Sequence, residues 1–376
     1  MSRLAYLDYN AGAPVRPEVV AAMAEALAEP GNPSSVHGPG RRARARVEAA
    51  RSAVALLVGA QPAGVTFTSG GTEANNLVLR GCGRRRLLVS AVEHASLREA
   101  AEVELIAVDG DGVVDLAALE RMLAAADEPA LVSVMLANNE TGVIQPVAEV
   151  ARLAHAHGAL VHCDAAQAPG RMSVSLSDMD VDFLTLSAHK LGGPAGVGAL
   201  VAANADFALA PILLGGGQER RRRAGSENLS GIAGFGAAVR RVVECGDEAE
   251  RVKMLRDRLE KAVATRVPGA VVIGAAVERL GNTACVALPG VPAQVQVMAL
   301  DLADVAVSAG SACSSGKVGE SAVLRAMGLE GAVAGSAIRV SLGWASTEDD
   351  VEKFLGAWCD LARRKGFEVK DAAQAA

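Results

Sequence analysis

The sequence predicts an α/β protein. A large domain carries a mostly parallel, doubly wound sheet, and a smaller α/β domain follows at the C-terminal end. Three observations carry this. From Val65 to Val201, short apolar runs rich in branched residues alternate with stretches of helical periodicity, the rhythm of a sheet covered on both faces. From about Val267 a second, shorter alternation begins. The chain of 376 residues is also too long for one ordinary core, and its 51% hydrophobic content suffices for two. Residues 1–16 read as a segment packing with the small domain, 17–250 as the large domain and 251–376 as the small one.

In chain order, Pro17 to Leu27 places Val19, Met23, Ala26 and Leu27 at helical spacing, with Pro17 suited to the first turn. Gly31-Asn32-Pro33-Ser34-Ser35 breaks that helix. Ser35 is expected to cap a long successor with Val47, Ala50, Val54, Leu57 and Val58 on one face, ending at Gly59. Strands are expected at Val65–Thr68, Leu87–Val92, Val103–Val108, Leu131–Leu136, Leu160–Cys163, Phe183–Ser187 and Val197–Val201, with helices such as Leu116–Ala125 and Val147–His157 between them. Helices at about Glu227–Val243 and Glu248–Arg266 lead away from this sheet. The second pattern reads as strand Thr283–Leu288, helix Gln294–Leu302, strand Val305–Ser308, helix Ser321–Met327, strand Ala337–Leu342 and helix Thr347–Arg364.

Composition excludes several classes of function. A net charge of −6 gives no electrostatic footprint for nucleic acid or an anionic membrane. No run of about 18 apolar residues exists to span a bilayer, and the N-terminus lacks the apolar core of a signal peptide, so a cytoplasmic protein is expected. The six cysteines, Cys82, Cys163, Cys245, Cys285, Cys313 and Cys359, form no C-x-x-C pair and suggest neither a zinc site nor a disulfide framework.

Chemistry-bearing residues gather at strand ends, where ligands sit on such sheets. The stretch Ser187-Ala188-His189-Lys190 ends an apolar strand. Lys190 is either a loop lysine in solvent or a desolvated amine able to form a Schiff base, as in the attachment of pyridoxal phosphate. Ser69-Gly70-Gly71-Thr72-Glu73 is an anion-holding helix start or an ordinary capped turn. His94 can stack on a ring and move protons, or simply be structural. Asn138-Asn139-Glu140-Thr141-Gly142 offers amides to a ring hydroxyl, or turn chemistry alone. Asp164 stands where an unpaired carboxylate is costly and suits a pyridinium nitrogen, with Gln167 in reach of the neighbouring ring oxygen. A metal at His155, His157, His162, Cys163 and Asp164 is disfavoured, because helix-end and strand residues would not converge. The run Arg220–Arg223 reads as an anion-handling or subunit-contact loop. Cys313, within Gly310-Ser311-Ala312-Cys313-Ser314-Ser315-Gly316, is an accident of exposure or a nucleophile. Arg339, alone in the apolar strand Ala337-Ile338-Arg339-Val340-Ser341-Leu342, captures a carboxylate or forms an internal ion pair.

The ordered set Tyr6-Leu7-Asp8, Gly31-Asn32-Pro33-Ser34-Ser35, Glu93-His94, Asn138-Asn139-Glu140-Thr141-Gly142, Asp164-Ala165-Ala166-Gln167, Ser187-Ala188-His189-Lys190, Arg223-Ala224-Gly225-Ser226-Glu227-Asn228, the Cys313 loop and Ile338-Arg339 resembles the cysteine desulfurases across nearly the whole chain. The Ser-Ala-Cys-Ser-Ser loop is similar to their first class, the iron–sulfur-cluster and nitrogen-fixation type within the class-V aminotransferase superfamily. The resemblance implies the fold-type I pyridoxal-phosphate architecture, a homodimer, and removal of sulfur from L-cysteine to give L-alanine. It implies that Lys190 holds pyridoxal 5'-phosphate, Asp164 pairs with the ring nitrogen, and His94 stacks on the ring. Asn139 and Gln167 would contact the ring oxygen. Gly71, Thr72, Ser187 and His189 would hold the phosphate, with Ser226 supplied by the partner subunit. Arg339 with Asn32 would bind the substrate carboxylate. Cys313 would accept the sulfur as a persulfide, for a cluster scaffold or another acceptor protein. A selenocysteine lyase or aminotransferase on the same fold, and a sulfur-delivery partner without turnover, are the other readings. The sequence departs from the family pattern at Tyr9-Asn10-Ala11-Gly12-Ala13, at Ser226 where threonine is usual, and at Val318-Gly319-Glu320-Ser321. Its end also falls soon after the last expected helix, so a longer scaffold-docking tail is not expected.

Overall fold

Two sheets with separate cores organise the chain, and the computed structural model describes residues 3–126, 128–310 and 321–370. The first strand, β1 (Ala5–Tyr6), precedes α1 (Pro17–Ala28) and α2 (Gly38–Leu57). Pro17 sits in the first turn of α1, where its missing N–H is no loss. The start of α2 differs from expectation. His37 is its N-cap, its Nδ1 accepting from the Gly40 N–H at 3.2 Å. Ser35 is instead held in the preceding turn by the Asn32 carbonyl.

The elements β2 (Val65–Thr68), α3 (Gly71–Gly81), β3 (Arg86–Ser90), α4 (Ala95–Arg98), β4 (Glu104–Ile106), α5 (Leu116–Ala124), β5 (Ala130–Ser133), α6 (Val147–Ala156), β6 (Leu160–Asp164), α7 (Leu176–Met179), β7 (Phe183–Ser187) and β8 (Gly198–Ala202) build the large sheet and its covering helices. Strand order is β2-β8-β7-β6-β5-β3-β4. The strands from β7 to β4 are parallel, and β8 runs antiparallel to β7 and β2. The central strands are buried along their whole length, as a sheet covered on both faces requires. Strands β3 and β5 stop two or three residues short of the apolar runs that mark them. The chain there leaves the ladder but stays buried through Val92 and through Val134–Ala137, which delivers Glu93, His94 and Asn139 to the sheet's C-terminal edge.

Helix α8 (Leu229–Glu244) packs Ile232 and Phe235 into the core of this sheet, beside α1 and α2. Helix α9 (Glu248–Arg266) instead gives Val252, Leu255, Leu259 and Val263 to a second core. That core lies on the sheet formed by β9 (Val271–Ile273) and β10 (Thr283–Ala287) with later strands, and α10 (Ala293–Asp301) packs on it. The single strand expected at Val305–Ser308 is two pieces. The first, β11 (Val305–Ala306), pairs parallel with β1, and the second, β12 (Ser308–Ala309), joins the small sheet. Two short helices, α11 (Ala322–Ala326) and α12 (Gly331–Ala334), precede β13 (Ala337–Ser341), and α13 (Glu348–Arg364) closes the core with Phe354 and Trp358. The small sheet is antiparallel, in the order β12-β13-β10-β9. Ala5 and Leu7 belong to this second core, so the N-terminal segment packs there. No helix among the described residues is long and apolar enough to cross a membrane.

The arginine run docks onto the large unit. Arg222 and Arg220 donate to backbone carbonyls, including that of Ala63, and Arg223 pairs with Glu73. Glu219, just before the run, has left-handed backbone angles (φ 44°, ψ 40°) and is buried. It accepts both guanidinium nitrogens of buried Arg51 at 2.8 Å and the Phe67 N–H at 2.9 Å. Glu219→Ala removes the buried bidentate carboxylate from Arg51, which keeps the half-exposed Glu48 at 3.2 Å and the Val65 carbonyl, and is expected to cost about 3–5 kcal/mol of stability. Denaturant unfolding measures this, and a loss under about 1 kcal/mol, the range of exposed pairs, would contradict it.

Candidate active site

A cavity of about 380 Å³ opens at the C-terminal edge of the large sheet. It is lined by Gly71, Thr72, His94, Asn139, Asp164, Gln167, Ser187, His189, Lys190 and Arg339, ten of the residues singled out from the sequence. Strand ends deliver most of them. Asp164 closes β6, Ser187 closes β7, and His189 and Lys190 follow in a single turn of 3-10 helix. Gly71 and Thr72 begin α3, whose first N–H groups have no intrahelical acceptor and so face the cavity as anion donors. Arg339 comes from the other sheet, in register with Ser308 on β12 and Cys285 on β10.

Each side chain is oriented by a local partner. The Asp164 carboxylate accepts from Asn75 Nδ2 at 2.8 Å and from the Ala166 N–H at 2.9 Å. Asn75 Nδ2 also reaches Ser96 Oγ at 2.9 Å. The Ser96 N–H donates to His94 Nδ1 at 3.1 Å, which leaves the proton of the neutral imidazole on Nε2. Ser187 Oγ lies 3.0 Å from His189 Nδ1, and burial with the neighbouring Lys190 charge lowers the His189 pKa to about 4, so this imidazole is neutral at physiological pH. Lys190 Nζ donates to the carbonyls of Asn10 at 2.5 Å and Ala11 at 3.0 Å. Its ammonium is thus met by backbone dipoles of the N-terminal segment.

Arg339 is 2% exposed. Its Nη2 donates to Asp8 Oδ1 at 2.7 Å and its Nη1 to the Asn139 carbonyl at 3.1 Å, while Nε has no hydrogen-bond partner among the described residues. The ion-pair reading is the one observed for this residue. It makes the internal ion pair, and it keeps a buried donor unused at the wall of the cavity, where a carboxylate would satisfy it.

Asn32 and Ser226 are not brought to this cavity. Asn32 is exposed, its side chain spent on the Ser34 N–H at 2.8 Å. Ser226 is exposed beside a separate cleft with Ser69, Arg223 and Asn228. Cys313 lies outside the described residues. Among the described cysteines, burial raises the thiol pKa of Cys82, Cys163, Cys285 and Cys359, the reverse of what a thiolate nucleophile needs. No group of three or more potential metal ligands occurs among the described residues, and His162 is taken up by Ser133 and Thr185 within the sheet.

The structure adds residues that sequence reasoning missed. Asn75 sits one helical turn beyond Gly71 on the same face of α3, a spacing that marks it as a partner of the site. Arg171, four residues after Gln167, donates to the Gln167 side chain. Glu93 is fully enclosed, and burial together with Asp164 pushes its pKa well up. Glu140 accepts from Ser321 Oγ at 2.6 Å, and a Cβ on Gly310 would fall 2.5 Å from the same oxygen, so this carboxyl packs against both chain ends that flank residues 311–320. No motif announces either glutamate as buried.

The residues present fit pyridoxal phosphate. They supply an amine, a carboxylate with capacity beyond its two donors, a helix N-terminus beside Ser187 and a neutral His189, and an unused guanidinium nitrogen. Known proteins are similar along most of the chain. The class-V aminotransferase family model matches residues 5–354. A cysteine desulfurase of Cereibacter sphaeroides is 43% identical, with 93% of each chain aligned. A NifS-like protein from Rickettsia africae superposes with a TM-score of 0.89 at 34% identity, over 96% of this chain and all of that one. A structure described as SspA in complex with cysteine gives 0.80 at 28% identity, over 91% of this chain and 99% of that one.

Burial pushes the Glu140 carboxyl up to about 7, against the pull of Ser321 and Arg339. Between its ordinary value of 4.5 and about 7, the unfolded chain ionises this group while the folded chain keeps the proton. Stability therefore falls as pH rises across that window. Glu140→Gln is expected to remove this dependence. Its advantage over the wild type should grow from pH 5 toward pH 8, reaching on the order of 3 kcal/mol at roughly 1.4 kcal/mol per pKa unit. Chemical denaturation at the two pH values tests this, and a pH-independent difference would refute it.

Proposed function

The chain belongs to the class-V aminotransferase family, and on that premise we propose that it is a pyridoxal phosphate-dependent cysteine desulfurase working at the Lys190 cavity. The observation that carries this reading is the convergence there of Lys190, Asp164, His94 and Gln167 from one sheet with Arg339 from the other. Pyridoxal phosphate, when bound, supplies the electron sink that lets cysteine lose its Cα proton and its sulfur.

Lys190 would hold the cofactor through its amine and would carry the proton at the substrate Cα. Asp164 accepts from the ring nitrogen and keeps it protonated, its orientation fixed by Asn75 and Ala166. His94 would stack on the ring, and Asn139 and Gln167 would contact the ring oxygen. Gly71, Thr72, Ser187 and His189 hold the phosphate, joined by Ser226 of a second copy in a homodimer. Arg339 binds the substrate carboxylate, and Asn32 assists from a segment that stands outside the cavity in the single chain. Cys313 takes the sulfur: its thiolate forms an S–S bond, the Cβ–S bond of cysteine breaks, and the carbon skeleton leaves as L-alanine after taking up a proton. The persulfide then passes to a sulfur acceptor such as a cluster scaffold protein, in the cytoplasm.

The purified protein is expected to absorb at about 400–420 nm, the range of lysine-bound pyridoxal phosphate, and to release alanine and sulfide from L-cysteine in the presence of reductant. Lys190→Ala should lose the reducible lysine adduct. Cys313→Ala should keep its colour and its spectral change on adding cysteine, yet release almost no alanine. A Cys313→Ala protein that releases alanine at the wild-type rate would point instead to direct elimination by a lyase.

A further inference from the structure

Arg171 is a cation that the reading above does not use. It follows β6 by seven residues and reaches back under the cavity. Its Nη1 donates to the Gln167 backbone carbonyl at 3.0 Å and to Gln167 Oε1 at hydrogen-bond distance. Its Nη2 points between the carbonyls of Tyr9 and Lys190, 3.4 Å from each. All four acceptors are neutral amide oxygens. Burial and the nearby Arg339 charge lower its pKa without discharging it at neutral pH.

This contact fixes the polarity of the Gln167 amide. With Oε1 committed to a guanidinium, the other end must be the donor, and Nε2 donates to the Asn10 carbonyl at 3.1 Å. Lys190 Nζ donates to that same oxygen at 2.5 Å. Two donors on one acceptor stand side by side. In pyridoxal, the ring hydroxyl is on the carbon adjacent to the one that bears the aldehyde. A donor beside the lysine nitrogen therefore meets that oxygen. A reversed amide would present Oε1 to it and repel it.

We propose that Arg171 is a positioning residue of the cofactor site, holding the Gln167 side chain with Nε2 turned toward the ring oxygen beside Lys190. The inference rests on the cofactor reading above. It separates Arg171 from the residues that touch the cofactor, and it predicts that its effect on cofactor binding passes through Gln167.

The test is a double-mutant cycle read as cofactor affinity. The protein is stripped with hydroxylamine and titrated with pyridoxal phosphate, following the visible band. Arg171→Met should weaken binding about tenfold, the size of one charge-assisted hydrogen bond. In a Gln167→Ala background the same substitution should change affinity by less than about twofold, because the group it acts through is gone. Arg171→Lys keeps a donor for Oε1 and should recover most of the loss. Gln167→Glu, with residue 171 intact, gives Arg171 a carboxylate to hold and leaves no donor for the ring, so it should bind as weakly as Gln167→Ala. This arm stands even if Arg171→Met does not fold. Additive losses in the cycle, or wild-type affinity in Gln167→Glu, overturn the inference while leaving the cofactor reading intact. A wild-type protein that takes up no pyridoxal phosphate overturns the reading itself.

Discussion

The site depends on one N-terminal segment, residues 7–12, a short strand end followed by a turn, that is hydrogen-bonded to both cores at once. Leu7 is buried in the second core, and its carbonyl accepts from the Ser341 N–H on β13. Asp8 then receives Arg339 and Ser308 from the small sheet. Two residues on, the Asn10 carbonyl receives Lys190 and Gln167 from the large one. The Asn10 side chain closes the seam, donating to Thr283 and to the Asn139 carbonyl and accepting from Asn282. Arg16 adds a bidentate ion pair with Glu248 on α9 and lies over Trp344. The Arg339 guanidinium and the Lys190 amine line one cavity where this segment joins the two sheets.

The electrostatics follow from the same crowding. Lys190, Arg171 and Arg339 lie close together in a chain whose net charge is −6. Such a cluster is costly unless backbone dipoles or anions meet it. Carbonyls of Tyr9, Asn10, Ala11, Gln167 and Asn139 do much of that work, and Asp8 supplies the one carboxylate bonded to Arg339. Buried Glu93 and Glu140, with pKa values pushed up, do not offset the cluster when protonated. Of the three cations, Lys190 and Arg339 line the cavity, together with the Asp164 carboxylate.

Much of this was legible in the sequence because strand ends and chemistry coincide. Alternating apolar runs placed β2 to β8, and nine candidate residues at or after their ends line one cavity with Arg339 of β13. The unread parts have physical causes. The break between β11 and β12 at Val307 depends on which neighbouring strand is in reach, and no local pattern encodes that. His37 displaced Ser35 as a cap because the turn ahead of α2 consumed the serine. Arg171 and Asn75 act on other side chains rather than on a ligand, so residue type alone gave no reason to single them out. Asn32 and Ser226 remain outside the cavity of a single chain, and a role for them requires surfaces that one copy does not bring together.

The altered N-terminal motif shows why sequence departures need not disturb such a site. The stretch Tyr9-Asn10-Ala11-Gly12-Ala13 departs from the pattern expected from the resemblance, yet its contacts to Lys190 and Gln167 are made by backbone carbonyls. A carbonyl is indifferent to the side chain that follows it. What the segment does require is a fixed path. Asn10 sets it from one side through three side-chain bonds, and Tyr6 from the other, its hydroxyl donating to the Gly12 carbonyl at 2.7 Å. Gly12 itself leaves room, since a Cβ there would sit 3.9 Å from the His189 ring, an ordinary contact. The constraint therefore falls on Asn10 and on the register of the segment against β13, with Tyr9 anchored as well by the Ala345 N–H, from which its hydroxyl accepts at 3.2 Å.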